Sequence, residues 1–279
     1  MKNILLPTDF SENSLNAITY ALNLFKDSAC NFYLLHVVKP SDIGFSDSPY
    51  LVSSLQINDV YTQTAKARLR DLLTHFSTKI TTNKKHKFYA ITDTNFLIES
   101  IRQQVSEKNI SLIVMGTKGA TGLKKIIVGS NTGDVITKVH CNALVVPENA
   151  TYKELKEVAF PTDFSMLYNI NILQPVVNII EKHGAAIRIL NISKKDAVLN
   201  SDQIKNKELL EDYFSNLDHS FHFLTNNKVE DAVQCFVESR DIDMITMVAK
   251  NLNYFQHILF HSKIKNISYH TDVPFLVLH

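Results

Sequence analysis

Leu6-Pro7-Thr8-Asp9-Phe10-Ser11 returns later in the chain as Phe160-Pro161-Thr162-Asp163-Phe164-Ser165. Each copy follows a short apolar run and precedes a stretch of helical period. After the first copy, Leu15, Ile18, Leu22 and Phe25 fall three and four residues apart and share one face. Further out, the buried-strand run Phe32–Val38 is answered by Ala186–Ile192, and Phe88–Ile91 by Phe221–Leu224. Leu112–Met115 then matches Met244–Met247, and Ala143–Val146 matches Phe275–Leu278. Strand and helix in regular alternation argue for parallel sheets built from right-handed βαβ units. The expected fold is α/β, with two tandem open parallel five-stranded sheets carrying helices on both faces.

A period of about 150 residues means two domains rather than a solenoid. The boundaries fall at 1–147 and 157–279, with 148–156 as linker, because Pro147 ends the last strand of the first half and Glu and Lys residues follow. The halves differ mainly between their second and third strands, where the first carries the extra Ser41–Asn58 loop and then a helix near Val60–Phe76. A lid over a ligand is one use for such a loop.

Composition narrows the function. A length of 279 residues with 45% hydrophobic and 20% charged residues suits a globular protein of about two domains. A net charge of +1 offers no overall basic field for nucleic acid. Cys30, Cys141 and Cys235 are scattered without CxxC spacing and suit a reducing compartment. No apolar stretch is long enough for a membrane span or a signal peptide, so the expected location is the cytoplasm.

The chemistry is concentrated in Met115-Gly-Thr-Lys-Gly-Ala-Thr-Gly-Leu-Lys-Lys-Ile-Ile-Val-Gly-Ser-Asn-Thr-Gly133, which holds five of only seven glycines: Gly116, Gly119, Gly122, Gly129 and Gly133. Glycine allows positive φ and lets main-chain N–H groups approach a ligand closely. The segment begins where an apolar strand stops and ends where a helical pattern starts. In open α/β sheets, ligands bind outside the carboxyl ends of strands, and a helix N-terminus favours phosphate. Lys118, Lys124 and Lys125 share the window. The physical inference is a phosphate cradle, although neither GxxxxGK[ST] nor GxGxxG is present.

The spacing Gly116-x2-Gly119-x9-Gly129-Ser130 resembles the ATP-binding signature of the universal stress protein family. Pro7-Thr8-Asp9-Phe10-Ser11, Leu35-His36-Val37 and Ala143–Val146 resemble it too, and the likeness covers nearly all of residues 1–147. It implies a Rossmann-like fold of the adenine nucleotide alpha hydrolase type. By resemblance, Asp9 reaches the nucleoside beside Pro7 and Thr8, and backbone at Val37 contacts adenine. Phosphates and ribose fall to Met115, Gly116, Gly119, Gly129, Ser130, Asn131 and Thr132, and Lys118 joins them as a phosphate candidate from its place in the window. The implied cofactor is ATP, with or without Mg2+, in a stress-response regulatory protein that hydrolyses it slowly or not at all. An unidentified regulatory protein partner is implied as well.

Aligned without gaps, the second half has Val248, Asn251 and His261 where the first has Gly116, Gly119 and Gly129, and only Ser262 answers Ser130. Side-chain bulk at those positions implies that the second half does not bind ATP in the family's manner, leaving Asp163 as a helix N-terminal acceptor. The family's domains commonly pair through their last strands. The resemblance therefore implies an intrachain pseudo-dimer joined by Leu144, Val145 and Val146 with Leu276, Val277 and Leu278, and leaves open whether whole chains associate further. His257 and His261 stand four apart but have no evident third ligand, so no metal site is expected. Neither Ser11 nor Ser165 has a His/Asp constellation, and no catalytic residue is assigned. A nucleotidyltransferase finds no motif here. The competing reading is a nucleotide-independent interaction module acting through the pseudo-dimer surface.

Overall fold

The computed structural model describes residues 1–38, 54–80, 83–117, 129–194, 197–226, 228–251 and 272–279. In the first half, β1 (Lys2–Pro7), α1 (Glu12–Leu24), β2 (Cys30–Val37), α2 (Ser54–His75), β3 (His86–Asp93) and α3 (Leu97–Glu107) are followed by β4 (Leu112–Gly116), α4 (Ser130–Lys138) and β5 (Ala143–Val146). The second half repeats the series as β6 (Glu157–Pro161), α5 (Ile170–His183), β7 (Ala186–Ser193), α6 (Ser201–Tyr213), β8 (His219–Thr225), α7 (Val229–Ser239), β9 (Met244–Val248) and β10 (Phe275–Leu278). The expectations for 39–53, for Lys118, Gly119, Gly122, Lys124 and Lys125, and for His257, His261 and Ser262 lie outside the described residues.

All ten strands form one sheet in the order β3-β2-β1-β4-β5-β10-β9-β6-β7-β8. Within each half the strands run parallel, and β5 meets β10 antiparallel. At that junction Val145 faces Phe275, Leu144 faces Leu276 and Ala143 faces Val277. Val146 and Leu278 find ladder partners in Gly116 and Val248 instead. The antiparallel ladder thus sits one residue earlier on each strand than the sequence suggested.

The local signals are physical ones. The central strands β1 and β4 are apolar almost throughout because helices cover both faces of the sheet. Ser11 caps α1 by accepting from Ser14 N–H, and Asn200 and Gln203 form a reciprocal capping box on α6. Gly184 ends α5 at φ 61°, the left-handed C-cap that glycine adopts without strain.

Period-two alternation along the strands divides the core. On one face Leu144, Val146, Leu276 and Leu278 join α1, α2, α5 and α6 into a single apolar layer that crosses the junction. On the other face the first half has its own cluster around Leu5, Ile113 and Val135, and α7 packs on a second cluster with Phe236, Ile245 and Phe275. The segment between the halves is part of this packing. Ala150 and Leu155 are buried, Tyr152 meets the edge of Tyr20 at 5.6 Å, and Asn16 Nδ2 donates to the carbonyl oxygens of Pro147, Glu148 and Ala150.

Candidate functional site

In the first half the strand order reverses between β1 and β4, which opens a crevice at their carboxyl ends. Pro7 closes β1 and the chain turns sharply. Phe10 sits at φ 63°, a conformation that costs a bulky residue about 1–3 kcal/mol. The surrounding bonds enforce it. Phe10 N–H donates to Thr8 Oγ1 (3.0 Å), Thr8 Oγ1 lies 2.9 Å from Ser14 Oγ, and Asp9 Oδ1 accepts from Ser11 N–H and Oγ (3.0 and 2.5 Å). His36 Nδ1 lies 2.8 Å from the Thr8 carbonyl oxygen, and its ring packs at a tilt against Phe10, centroids 4.4 Å apart. Arg68 of α2 covers the Phe10 ring at 4.0 Å. The turn leaves Asp9 exposed at the rim, while Pro7 and Thr8 are buried.

Opposite this turn, β4 ends at Gly116. A Cβ there would come within 2.6 Å of Asn13 Oδ1 and 3.0 Å of Asn13 O. Glycine at 116 is therefore set by the first turn of α1 pressing on the strand end. Among the described residues Gly184 is the one glycine at positive φ. Gly129, at φ −63°, serves instead as an N-cap that brings no side chain. Its N–H donates to Thr117 O (2.5 Å), and Thr132 Oγ1 donates to Gly116 O (2.8 Å), so that both bonds tie the start of α4 to the end of β4.

These bonds sort the residues named from sequence. Asp9, Ser130 and Asn131 are exposed at the carboxyl ends of the strands, and Val37 is half-buried at the end of β2. Met115 is buried in the core of the α3 and α4 face. The hydroxyls of Thr8 and Thr132 are committed to building the site. Sequence reading missed Asn13, Thr117 and the carbonyl-facing role of His36. A buried polar residue in a first helical turn was the only available hint.

The crevice therefore joins an exposed carboxylate, a strand end and a helix N-terminus without side-chain cap. The first N–H groups of such a helix lack intrahelical partners and carry partial positive charge. This donor set fits a sugar hydroxyl, a planar base and phosphate oxygens. Among the described residues no three His, Cys, Asp or Glu side chains converge to hold a metal ion.

The second half repeats the turn and changes its surroundings. Phe164 has φ 57°, its N–H donates to Thr162 Oγ1 (2.9 Å), and Asp163 Oδ1 accepts from Ser165 N–H and Oγ (3.0 and 2.8 Å). Asn191 Nδ2 takes the place of His36, donating to Thr162 O at 3.0 Å. Helix α6 then fastens the turn: Gln203 Nε2 donates to Asp163 O (2.7 Å) and Asn206 Nδ2 to Phe164 O (2.8 Å). Val248 occupies the end of β9, and the chain continues into a 3-10 turn, Ala249–Asn251, whose alanine is buried in the core. Val248 faces Leu278 as Gly116 faces Val146, so the register supports the ungapped alignment.

No helix among the described residues is long and apolar enough to cross a membrane. Universal stress protein MJ0531 of Methanocaldococcus jannaschii is 34% identical to this chain over 148 residues, covering 52% of this chain and 81% of that protein. Universal stress protein A homolog 1 of Coxiella burnetii is 26% identical over 148 residues, covering 52% and 95%. A crystal structure of a universal stress protein from Archaeoglobus fulgidus aligns over 99% of this chain and 97% of its own with a TM-score of 0.72. At 19% identity, that likeness speaks to the fold. The sequence profile of the universal stress protein family matches residues 1–147, the half whose strand end is glycine and whose α4 begins without a side-chain cap. By that match the chain belongs to the universal stress protein family.

Proposed function

We infer that this chain is a stress-response regulatory protein that holds ATP in its first half only, with hydrolysis slow or absent. The observation that carries the reading is the uncapped N-terminus of α4, seated across the β1/β4 crevice from exposed Asp9. In this pose the amides of Ser130 and Asn131 receive phosphate oxygens, and Asp9 accepts from ribose hydroxyls. The end of β2 at Val37 borders the base. The family resemblance assigns Gly119 to the phosphates as well, with Lys118 a further candidate, and a Mg2+ ion would arrive with the triphosphate. The second half keeps the carboxylate at Asp163 but offers Val248 and a 3-10 turn beginning at buried Ala249 in place of the glycine step.

Protein purified without added nucleotide, then denatured, should release adenine nucleotide detectable by mass spectrometry. Calorimetric titration with ATP should give one site per chain. Gly129→Val, which puts a branched side chain at the α4 N-cap, should weaken binding about a hundredfold, roughly 2.7 kcal/mol. Absence of both bound nucleotide and titration heat would leave the interaction-module reading in its place. Two sites per chain would overturn the confinement to the first half.

A further inference from the structure

The sheet ends on β3 at one side and β8 at the other, and among the described residues no further strand covers either. Open edges present unpaired backbone N–H and C=O groups and invite a further strand. These two edges also carry opposite charge. From α2 through β3, residues 54–93 hold seven Lys and Arg against three Asp. In the corresponding stretch from α6 through β8, residues 201–225, two Lys stand against five Asp and Glu. The net charge of +1 conceals this polarity because the two ends nearly cancel.

The charges lie where a neighbour would meet them. Arg70, Lys84, Lys85 and Lys87 are exposed, and none pairs with a carboxylate among the described residues. On the other side Glu208, Glu211, Asp212 and Asp218 are exposed; Glu211 shares Lys207 at 3.3 Å and Asp218 shares Arg188 at 3.1 Å. Each edge adds apolar area that water does not favour. Tyr89 on β3 is 41% exposed, while Phe223 on β8 and Leu209 on α6 are 54% and 52% exposed. Lysine on an edge strand ordinarily guards against pairing of like with like. Here the same lysines repel a second β3 edge and attract a β8 edge.

We propose that the β3 edge of one copy of this chain takes the β8 edge of a second copy, head to tail, guided by complementary charge. The halves run antiparallel to each other, so copies repeated in one orientation would bring β8 beside β3 antiparallel, as β5 already meets β10. Such a contact is heterologous and open, and it generates chains of increasing length rather than a closed dimer. This inference is independent of nucleotide binding.

The test is sedimentation and light scattering of the full chain across a concentration series, at low and at high salt. Wild type should associate progressively at low salt and dissociate as salt screens the charges. Lys84→Glu/Lys85→Glu/Lys87→Glu and Glu208→Lys/Glu211→Lys/Asp212→Lys should each stay monomeric at concentrations at least tenfold above the wild-type midpoint. Circular dichroism and melting should show both still folded. Mixed together, the two variants have complementary charge at both kinds of edge and should associate into alternating chains, although neither grows alone. Wild type that remains monomeric at low salt would overturn the proposal, as would association that either charge reversal leaves intact. Retention of a labelled polyanionic oligonucleotide by monomeric wild type, lost in the lysine variant, would also overturn it and assign the basic edge to that class of ligand.

Discussion

The turns at Thr8–Ser11 and Thr162–Ser165 match almost bond for bond, down to a phenylalanine at positive φ in each. The strand ends beside them do not match. At β4 a glycine lets the first turn of α1 close on the sheet, with Asn13 where a Cβ would be. At β9 a valine fills that place, and the helix that should press on it begins only at Ile170. The residue corresponding to Asn13 is Leu167, which is 69% exposed. Loss of the glycine and loss of the first helical turn thus occur together. The Pro-Thr-Asp-Phe-Ser motif is a way of turning a chain off a strand, and it says little by itself about ligands. What separates the halves is the opposite wall of the crevice.

Gly116→Val is the strongest way to break that distinction. The new side chain must displace Asn13, and overpacking of this kind costs about 1–3 kcal/mol. Chemical denaturation should show the loss, and a structure of the variant should show α1 starting later, as α5 does. The reverse change, Val248→Gly, removes a buried side chain without rebuilding the missing turn. It should destabilise the chain and gain no nucleotide site in an ATP titration.

A smaller effect separates the two aspartates. Asp9→Asn keeps an acceptor for Ser11 and should fold normally, but it removes the charge that the proposed pose sets against the ribose hydroxyls. ATP affinity should fall about tenfold, roughly 1.4 kcal/mol, whereas Asp163→Asn should leave titration curves unchanged. Equal losses from both would mean that the second half takes part in binding.

The smallest effect distinguishes the outer faces of the two sheets. Where the first half stacks Tyr33 on Tyr89, the second has Arg188 bonded to Glu157, Asp218 and Ser220, with His222 Nε2 2.8 Å from Ser220 Oγ. Burial, then the positive charges of Arg240 and Arg188, lower the pKa of His222 against the opposing pull of Glu157. A histidine whose folded pKa is depressed contributes its stability above the unfolded value, near 6.5, and loses it as pH falls through the folded value. His183 and His279 are shifted the same way, chiefly by burial. Melting temperature should therefore drop between pH 7 and pH 5, and His222→Gln should flatten part of that slope.

The duplication was legible because apolar strand runs and the Pro-Thr-Asp-Phe-Ser repeat recur in the same order, and such runs form strands whichever helices cover them. The placement of Asp9, Ser130 and Asn131 at the carboxyl ends of the strands was legible because glycine spacing and strand-to-helix transitions are local signals. Three things were not. That Gly116 answers to Asn13 depends on how α1 docks, which its own sequence does not state. Gln203 and Asn206 reach the Asp163–Phe164 backbone from about 40 residues away, beyond any spacing rule. Packing of residues 148–156 against α1 was hidden by their polar composition, since Asn16 satisfies backbone carbonyls that would otherwise need water.

The two sides of the β5–β10 junction lie on one polypeptide, and that has a genetic consequence. In a symmetric assembly of identical subunits every substitution appears twice, so neither copy can give up an inherited role while the other keeps it. Here a single polypeptide supplies both lobes, and a codon changed at position 248 leaves position 116 untouched. One lobe can therefore change without the same change appearing in the other.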